Sequence, residues 1–397
     1  MIPLEEARTY VLDRCSRKEP IFTPVNDAFG LVTAVDVIAK ESIPPFANTA
    51  MDGFAVRSSD VAVVPVQLRI IETIAAGYAP KLVVGSGEAS RIMTGAPIPE
   101  GADAVVMVEK TSVKGDAVTI EAAVQAGNHI RPAGDDVTSG QMVFARGTVL
   151  TAGHLGVLCS LGMSEIATYP RLRVGVMSTG DELVDDGGPL APGQIRDSNR
   201  CTLISLLNGD GFVAVDLGLI PDDETAIESA LLHGADHCDA VVTSGGVSMG
   251  DFDYVKAVLD RVGDMRWMQI AIKPAKPLAF GTIGHTPVFG LPGNPVSSMV
   301  SYELFARPGL RTMMGFPEPI RTAIQGIAAE SLMRHPDGKT HYSRVLARYE
   351  DGRIRVRSVA GQGSHMLTSM ARSNALAVLP NGDGCREGDV VDILLLN

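Results

Sequence analysis

The sequence predicts a multidomain α/β plus β protein, and three observations carry that reading. Residues 170–312 alternate short β-branched runs with helical patterns, as a parallel sheet covered by helices does. Residues 1–165 and 318–397 instead show period-two alternation broken by many turns. The chain has 397 residues, which suits two or three domains at about 150 residues each. Hydrophobic residues make up 45% and charged residues 20%, the balance of a globular chain rather than a disordered one. Aromatics are only 5%, so the cores have to be built from aliphatic side chains and Met.

In chain order, Leu4, Ala7, Val11 and Leu12 fall at helical spacing and predict an amphipathic first helix. Residues 23–39 read as strand-like alternation around a helix or turn. Residues 64–77 and 102–121 read as strands, with a hairpin turning at Lys114-Gly115-Asp116. The first segment has many short strands and little helix, so its apolar faces are expected to need a partner. In the central segment, strands are expected at 172–177, 212–219 and 239–246, then near 267–272, 277–281 and 287–291. Helices are expected around Leu203–Leu207, after the cap Asp223, near 253–262 and from Asn294. Residues 318–397 read as a small all-β barrel or sandwich.

The net charge of −12 argues against a sequence-independent nucleic-acid binder and against docking on anionic membranes. A small anionic ligand stays open if positive charge is concentrated locally. No run approaches the roughly 18 apolar residues of a membrane helix. The start, MIPLEEARTY, lacks the layout of a signal peptide. The five cysteines are scattered without a CxxC pair, which fits a reducing, cytoplasmic setting. None of the eight histidines forms HxxH or HExxH, and there is no GxSxG elbow. The central segment carries neither a Walker A motif nor GxGxxG after its first strand.

Three Gly-containing loops are expected beyond the carboxyl ends of the central strands, where open α/β sheets bind ligands. They are STGDEL (178–183), TSGGVSMGD (243–251) and LPGNP (291–295). Glycine lets a backbone approach an anion and present its N–H groups. One such loop is as readily an ordinary turn; three on one edge point to a phosphate or oxyanion site. In AIKPAKPLAF (271–280), Lys273 and Lys276 each precede Pro. Proline holds the preceding residue extended, and three extended residues span roughly 10 Å. The pair either brackets a polyanion or is simply solvated. PPFANTAMDGFAV (44–56), RIMTGAPIPEGADAVVMVE (91–109) and HIRPAGDDV (129–137) place polar residues in tightly turned stretches. Each is either a capped turn or a site. Ser364 and His365 sit in a Gly-rich loop, GQGSHML.

These motifs, with GQIRDSNR (193–200), IKPAKP and GLPGNPVS (290–297), occur in the order and over the span seen in one family. The sequence resembles the molybdopterin molybdenumtransferases, called MoeA in bacteria and the E-domain of gephyrin in animals. Departures are small: Phe54, Thr49 and Asp135 stand where the family often has Tyr, Ser and Glu. The resemblance implies an extended β-rich N-terminal part over 1–165 with an inserted subdomain at about 48–140. It implies a MogA-like α/β molybdopterin-binding domain over 170–312 and a C-terminal β-barrel over 318–397. It further implies a homodimer whose cleft joins the α/β domain of one subunit to the inserted subdomain of the other. The implied reaction takes adenylylated molybdopterin and molybdate, places molybdenum on the dithiolene and releases AMP, assisted by Mg2+.

By matching positions, the resemblance makes Asp52, Asp136, Glu182 and Asp251 carboxylate candidates for the metal. It gives Asp52, Glu182, Asp251, Lys273 and Lys276 catalytic work. It implies that Thr94 and Arg131 organise the inserted-subdomain side. Ser178, Gly245, Gly246, Ser248 and Asn294 would hold pterin or phosphate, and Lys273, Lys276, Arg344, Ser364 and His365 would surround oxyanions. With one α/β segment of this kind, a separate adenylyltransferase protein is expected upstream. Two alternatives stay open: a molybdopterin adenylyltransferase-like enzyme, and a non-enzymatic scaffold.

Overall fold

The computed structural model describes residues 1–246 and 254–396. α1 (Leu4–Leu12) opens the chain, and its Ala7 and Val11 are fully buried. They join the core of the central domain rather than that of the N-terminal part. An N–H from Ile2 to the Gln269 carbonyl, 2.8 Å, ties the start of the chain there.

Short antiparallel pairs follow, Ile21–Pro24 with Glu165–Thr168 and Val37–Ile38 with Met142–Phe144. α2 (Ala152–Ser160) precedes the strand Glu165–Thr168. Between Val37–Ile38 and Met142–Phe144 in the chain lies a six-stranded sheet. Its order is Ala104–Met107, Gly53–Val56, Glu88–Ile92, Val66–Ile74, Ala117–Ile120, Thr111–Lys114. The expected hairpin is present, with Gly115 at φ +62°. Gly53 is demanded by packing: a Cβ there would meet the Val106 carbonyl oxygen at 2.0 Å.

The inserted sheet buries a core of its own, built on Phe54, Val56, Leu68, Val106 and Val118. Unpartnered apolar surface lies elsewhere in the first segment, where Phe22, Phe29 and Ile38 are exposed.

The central sheet runs in the order Val213–Ile220, Arg173–Thr179, Ala240–Ser244, Thr286–Leu291, Pro277–Ile283, Asp264–Gln269. α3 (Asn199–Gly209), α4 (Glu224–His237), α5 (Tyr254–Val262), α6 (Pro295–Ser301) and α7 (Arg307–Met313) cover it. Side chains alternate across the strands. Val174, Val176 and Val242 meet Leu203, Leu207 and Val300 on one face, with α1 alongside. Met177, Val241 and Val288 meet Ile227, Leu231 and Val258 on the other. The expected cap forms: Asp223 accepts the Ala226 N–H at 2.9 Å.

The sheet is mixed rather than wholly parallel. The first four strands and the edge strand Asp264–Gln269 run one way, and Pro277–Ile283, paired antiparallel with both Thr286–Leu291 and Asp264–Gln269, runs the other. Ile283 pairs with Thr286 across Gly284-His285, and a link that short makes a hairpin, never a parallel crossover.

In the C-terminal part, strands Ile324–Ala328, Thr340–Glu350, Arg353–Ser358, Ala375–Leu379 and Val390–Leu395 close into a barrel. Closure is complete because Thr340–Glu350 pairs with both Arg353–Ser358 and Ala375–Leu379. Val345, Val356, Ala377 and Ile393 fill it. α8 (Leu367–Ala371) follows the Gly-rich loop and packs beside α6. No described helix is long and apolar enough to cross a membrane.

Candidate active site

The three parallel strands Arg173–Thr179, Ala240–Ser244 and Thr286–Leu291 are neighbours, with Ser178 opposite Ser244 and Ser244 opposite Leu291. Their carboxyl ends therefore lie level, and the loops after them leave from one edge. Gly245 donates its N–H to the Leu291 carbonyl at 3.1 Å. Gly246 has φ +68°, and a Cβ there would come within 2.3 Å of Val255 Cβ. No larger residue fits that turn. Ser248 and Asp251 lie outside the described residues.

Behind this edge sits GQIRDSNR, whose last residues start α3. Asn199 Nδ2 donates to Ser244 Oγ at 2.8 Å and to the Gly293 carbonyl at 2.7 Å, joining two of the loops. Ser178 is fully buried and gives its hydroxyl proton to Asp197 at 3.2 Å. In this structure it therefore positions the loop frame. Asp197 is held by Arg200 Nε at 3.0 Å, and Arg200 also grips Asp216 at 2.7 Å. Burial alone would lower the Arg200 pKa; the bonds to Asp216 and Asp197 outweigh it and hold the group above its ordinary value.

Asn294 is the residue before α6, with Pro295 at the first helical position. Val296 N–H donates to the Ser364 carbonyl at 3.1 Å. That bond brings the loop of Ser364 and His365 from the barrel to the strand-end loops. Arg344 holds the same loop from beneath. It is 1% exposed, with Nη2 on the Gly361 and Gly363 carbonyls at 3.0 and 3.1 Å and Nε on Ser369 Oγ at 3.1 Å. Arg344 thus braces the loop that sequence expected it to assist from the ligand side.

Lys273 ends a two-residue strand, Ile272–Lys273, paired with Thr340 and His341 of the barrel. It lines a 340 Å3 cavity with Arg334, Asp337, His341, Arg344 and Gln362. Burial lowers the His341 pKa, helped by the charges of Arg334 and Lys273 and opposed by Asp337. Asp337 is held down to about 2, chiefly by its bond to His341. Lys273 and Lys276 are both exposed, but the chain between them is not extended. Ala275 has φ +71°, and the Ile270 N–H closes a turn on the Lys276 carbonyl at 2.8 Å. The 10 Å spacing expected from extended chain is therefore replaced by a tight turn.

Glu182 folds back over Gly180, where a Cβ would meet its Oε2 at 2.5 Å. Next to it, Asp222 N–H donates to Asp181 Oδ1 at 3.1 Å, and Asp181 N–H donates to Asp222 Oδ2 at 3.4 Å. Burial, then the charges of Asp181 and Glu182, push the Asp222 pKa up. Sequence reasoning missed Asp222. The signal is present: Ile220 pairs with Thr179 at the same edge, and the DDE run that follows reads in sequence only as a helix cap.

The remaining candidates sit in the inserted part. Asp52 is exposed, and its Oδ1 accepts both the N–H and the hydroxyl of Thr94 at 2.7 Å. Those bonds hold its carboxyl below the usual range. Arg131 is exposed, on the strand Ile130–Arg131 that pairs with Asn48–Thr49. Asp136 N–H bonds the Ile43 carbonyl at 3.0 Å. Among the described residues, no three His, Cys, Asp or Glu side chains form a metal-holding group. Asp52, Asp136 and Glu182 therefore do not assemble into one within a single chain.

Three family descriptions match this chain in succession. They are the MoeA N-terminal region (domain I and II) over 2–162, a probable molybdopterin binding domain over 175–312, and the MoeA C-terminal region (domain IV) over 326–396. The molybdopterin molybdenumtransferase of Haemophilus influenzae is 38% identical over 97% of this chain and 96% of its own length. Molybdopterin molybdenumtransferase 2 of Mycobacterium tuberculosis is also 38% identical, over 99% and 97%. The chain belongs to the molybdopterin molybdenumtransferase family. The fold agrees: the molybdopterin biosynthesis MoeA protein of Pyrococcus horikoshii superposes with a TM-score of 0.83 at 29% identity, covering all of both chains. As a molybdopterin molybdenumtransferase, the chain is an enzyme of molybdenum cofactor biosynthesis. Its strand-end loops lie within the probable molybdopterin binding domain.

Proposed function

We propose that this enzyme transfers molybdenum from molybdate to the dithiolene of adenylylated molybdopterin and releases AMP. One observation carries the reading. Three glycine-containing turns leave a single sheet edge, and the barrel loop of Ser364 and His365 is tied to that edge through Val296. Backbone donors at such turns suit phosphate and oxyanion groups.

In this reading Gly245, Gly246, Ser248 and Asn294 hold the phosphate and pterin. Lys273, Lys276, Ser364 and His365 receive the molybdate charge, and Arg344 holds their loop in place. Glu182 and Asp251, with Asp222 added from geometry, supply carboxylates at the α/β edge. Asp52, Asp136, Thr94 and Arg131 supply the inserted-subdomain side. Hard carboxylate oxygens suit Mg2+, which takes few protein ligands and completes its shell with water and phosphate. Glu182, Asp222 and Asp251 would hold it, and when bound it would neutralise phosphate charge as the AMP linkage breaks.

The two groups of carboxylates come together if the enzyme is a homodimer with a shared cleft. The exposed Phe22, Phe29 and Ile38 supply apolar surface for a second copy. A cytoplasmic setting and an upstream adenylyltransferase protein follow from the same reading. The test is direct: purified enzyme, adenylylated molybdopterin, molybdate and Mg2+, with AMP and dithiolene-bound molybdenum measured together. Nucleotide transfer to unmodified molybdopterin would favour the adenylyltransferase alternative; no reaction would favour a scaffold.

A further inference from the structure

The cavity beside Lys273 carries more positive than negative charge. Lys273 reaches it from the strand Ile272–Lys273, and its partner residue on the barrel strand, His341, lines the same space. Lys273 has no ion pair among the described residues. Among the lining residues Asp337 is the one carboxylate, and it is already shared. It accepts Arg334 Nη2 at 2.6 Å, Lys339 Nζ at 3.4 Å and His341 Nε2 at 3.1 Å. His335, Tyr342, Arg344 and Gln362 are the other polar or charged groups near the ring, with Ser343. The neighbouring strand Ala375–Leu379 brings no charge, and its Leu379 lies opposite His341.

The bond to Asp337 fixes the tautomer of His341. Nε2 carries the proton and donates it, and Nδ1 keeps its lone pair with no partner among the described residues. Charging the ring means adding a proton at Nδ1. With no anion bound, that would set four cations, Lys273, Arg334, Lys339 and His341, around one carboxylate. Burial first, with Arg334 and Lys273, holds the ring below its ordinary pKa in spite of Asp337. A dianion beside Lys273 reverses that balance, because a nearby opposite charge favours the charged imidazole.

We propose that oxyanion binding beside Lys273 is coupled to uptake of one proton at His341 Nδ1, so that the charged imidazole joins Lys273 in balancing the bound dianion. The inference rests on the reading of Lys273 as a molybdate contact, and adds to it a residue and a pH dependence. The sign follows from linkage. Molybdate stays a dianion across the neutral range, whereas the ring binds its proton more tightly in the complex than in the free enzyme. Between those two pKa values affinity rises as pH falls, by at most about tenfold per pH unit.

The probe is sodium molybdate, titrated calorimetrically into the full-length enzyme in two buffers of different ionisation enthalpy, so that the difference in heat counts protons. The wild type is expected to take up about half a proton per molybdate at about pH 6 and almost none at about pH 8, and to bind roughly threefold to tenfold tighter at the lower pH. His341→Gln keeps a group that can donate to Asp337 but cannot titrate, and should bind molybdate equally at both pH values without proton uptake. His365→Gln, which changes the histidine of the barrel loop, should keep the uptake. Molybdate binding without proton uptake in the wild type, or uptake that survives His341→Gln, would overturn the inference while leaving the role of Lys273 standing. No molybdate binding at either pH would overturn the reading of Lys273, and this inference with it.

Discussion

Replacing Arg344 by Met separates a loop brace from a ligand contact. The guanidinium makes three hydrogen bonds, two to carbonyls of the Gly361–Gly363 turn and one to Ser369. At about 1.5–3 kcal/mol for each bond to a charged group, their sum is roughly 4.5–9 kcal/mol. Burial of the cation offsets part of it, since the same burial lowers the Arg344 pKa, and removing a buried charge returns its desolvation cost. Met keeps most of the stem volume, so the packing change is small. A net loss of about 3 kcal/mol is expected for the closed loop, which is a little over a hundredfold in its opening equilibrium. Hydrogen exchange read by mass spectrometry tests this. Protection should fall about a hundredfold in the segment 359–367 and at the Val296 amide, which bonds Ser364. The strand Val390–Leu395 should exchange as in the wild type. If loop protection is unchanged and only the KM for molybdate rises, Arg344 is a ligand contact and the bracing argument is wrong.

Asp52→Asn keeps the acceptor for Thr94, so fold and assembly should persist while AMP release falls steeply at saturating Mg2+. Mixed Asp52→Asn and Glu182→Gln chains should regain partial activity, because one cleft of each heterodimer is intact; absence of rescue with verified subunit exchange would place both carboxylates in one subunit's cleft. Lys273→Ala should raise the KM for molybdate about 10-fold to 150-fold, the equivalent of about 1.5–3 kcal/mol, with unchanged thermal stability, since Lys273 is exposed; an unchanged KM would return it to solvated surface. His341 has a folded pKa below its ordinary 6.5, so the unfolded chain binds the proton more readily as pH falls through 6.5. Stability should therefore drop below that pH, and His341→Gln should flatten the urea midpoint between pH 6.5 and 5; an identical slope in both proteins would remove His341 as the cause.

The sheet edge was legible because it depends on local pattern. Buried β-branched runs such as Ala240–Ser244 and the glycines after them announce a parallel strand and its turn in sequence alone. The reversed strand Pro277–Ile283 leaves no such signal, since its direction is set by the two-residue link at Gly284-His285 rather than by the strands. Long-range contacts were the least legible. Asp222 joins Asp181 across 41 positions, and Arg344 reaches Gly361 across 17; neither pairing leaves a periodic signal. The lysine turn leaves no signal in sequence because proline restricts the residue before it, Lys273 and Lys276, and not Ala275 between them, which takes the left-handed region.

Molybdenum transfer is expected to be coupled to nucleotide loss, one AMP for each molybdenum. The measurement is AMP released per molybdenum bound to the dithiolene, in one turnover with purified enzyme, adenylylated molybdopterin, molybdate and Mg2+. A ratio near one, with negligible AMP when molybdate is left out, is the predicted result. AMP released at the same rate without molybdate, or molybdenum bound with the nucleotide still attached, would contradict it.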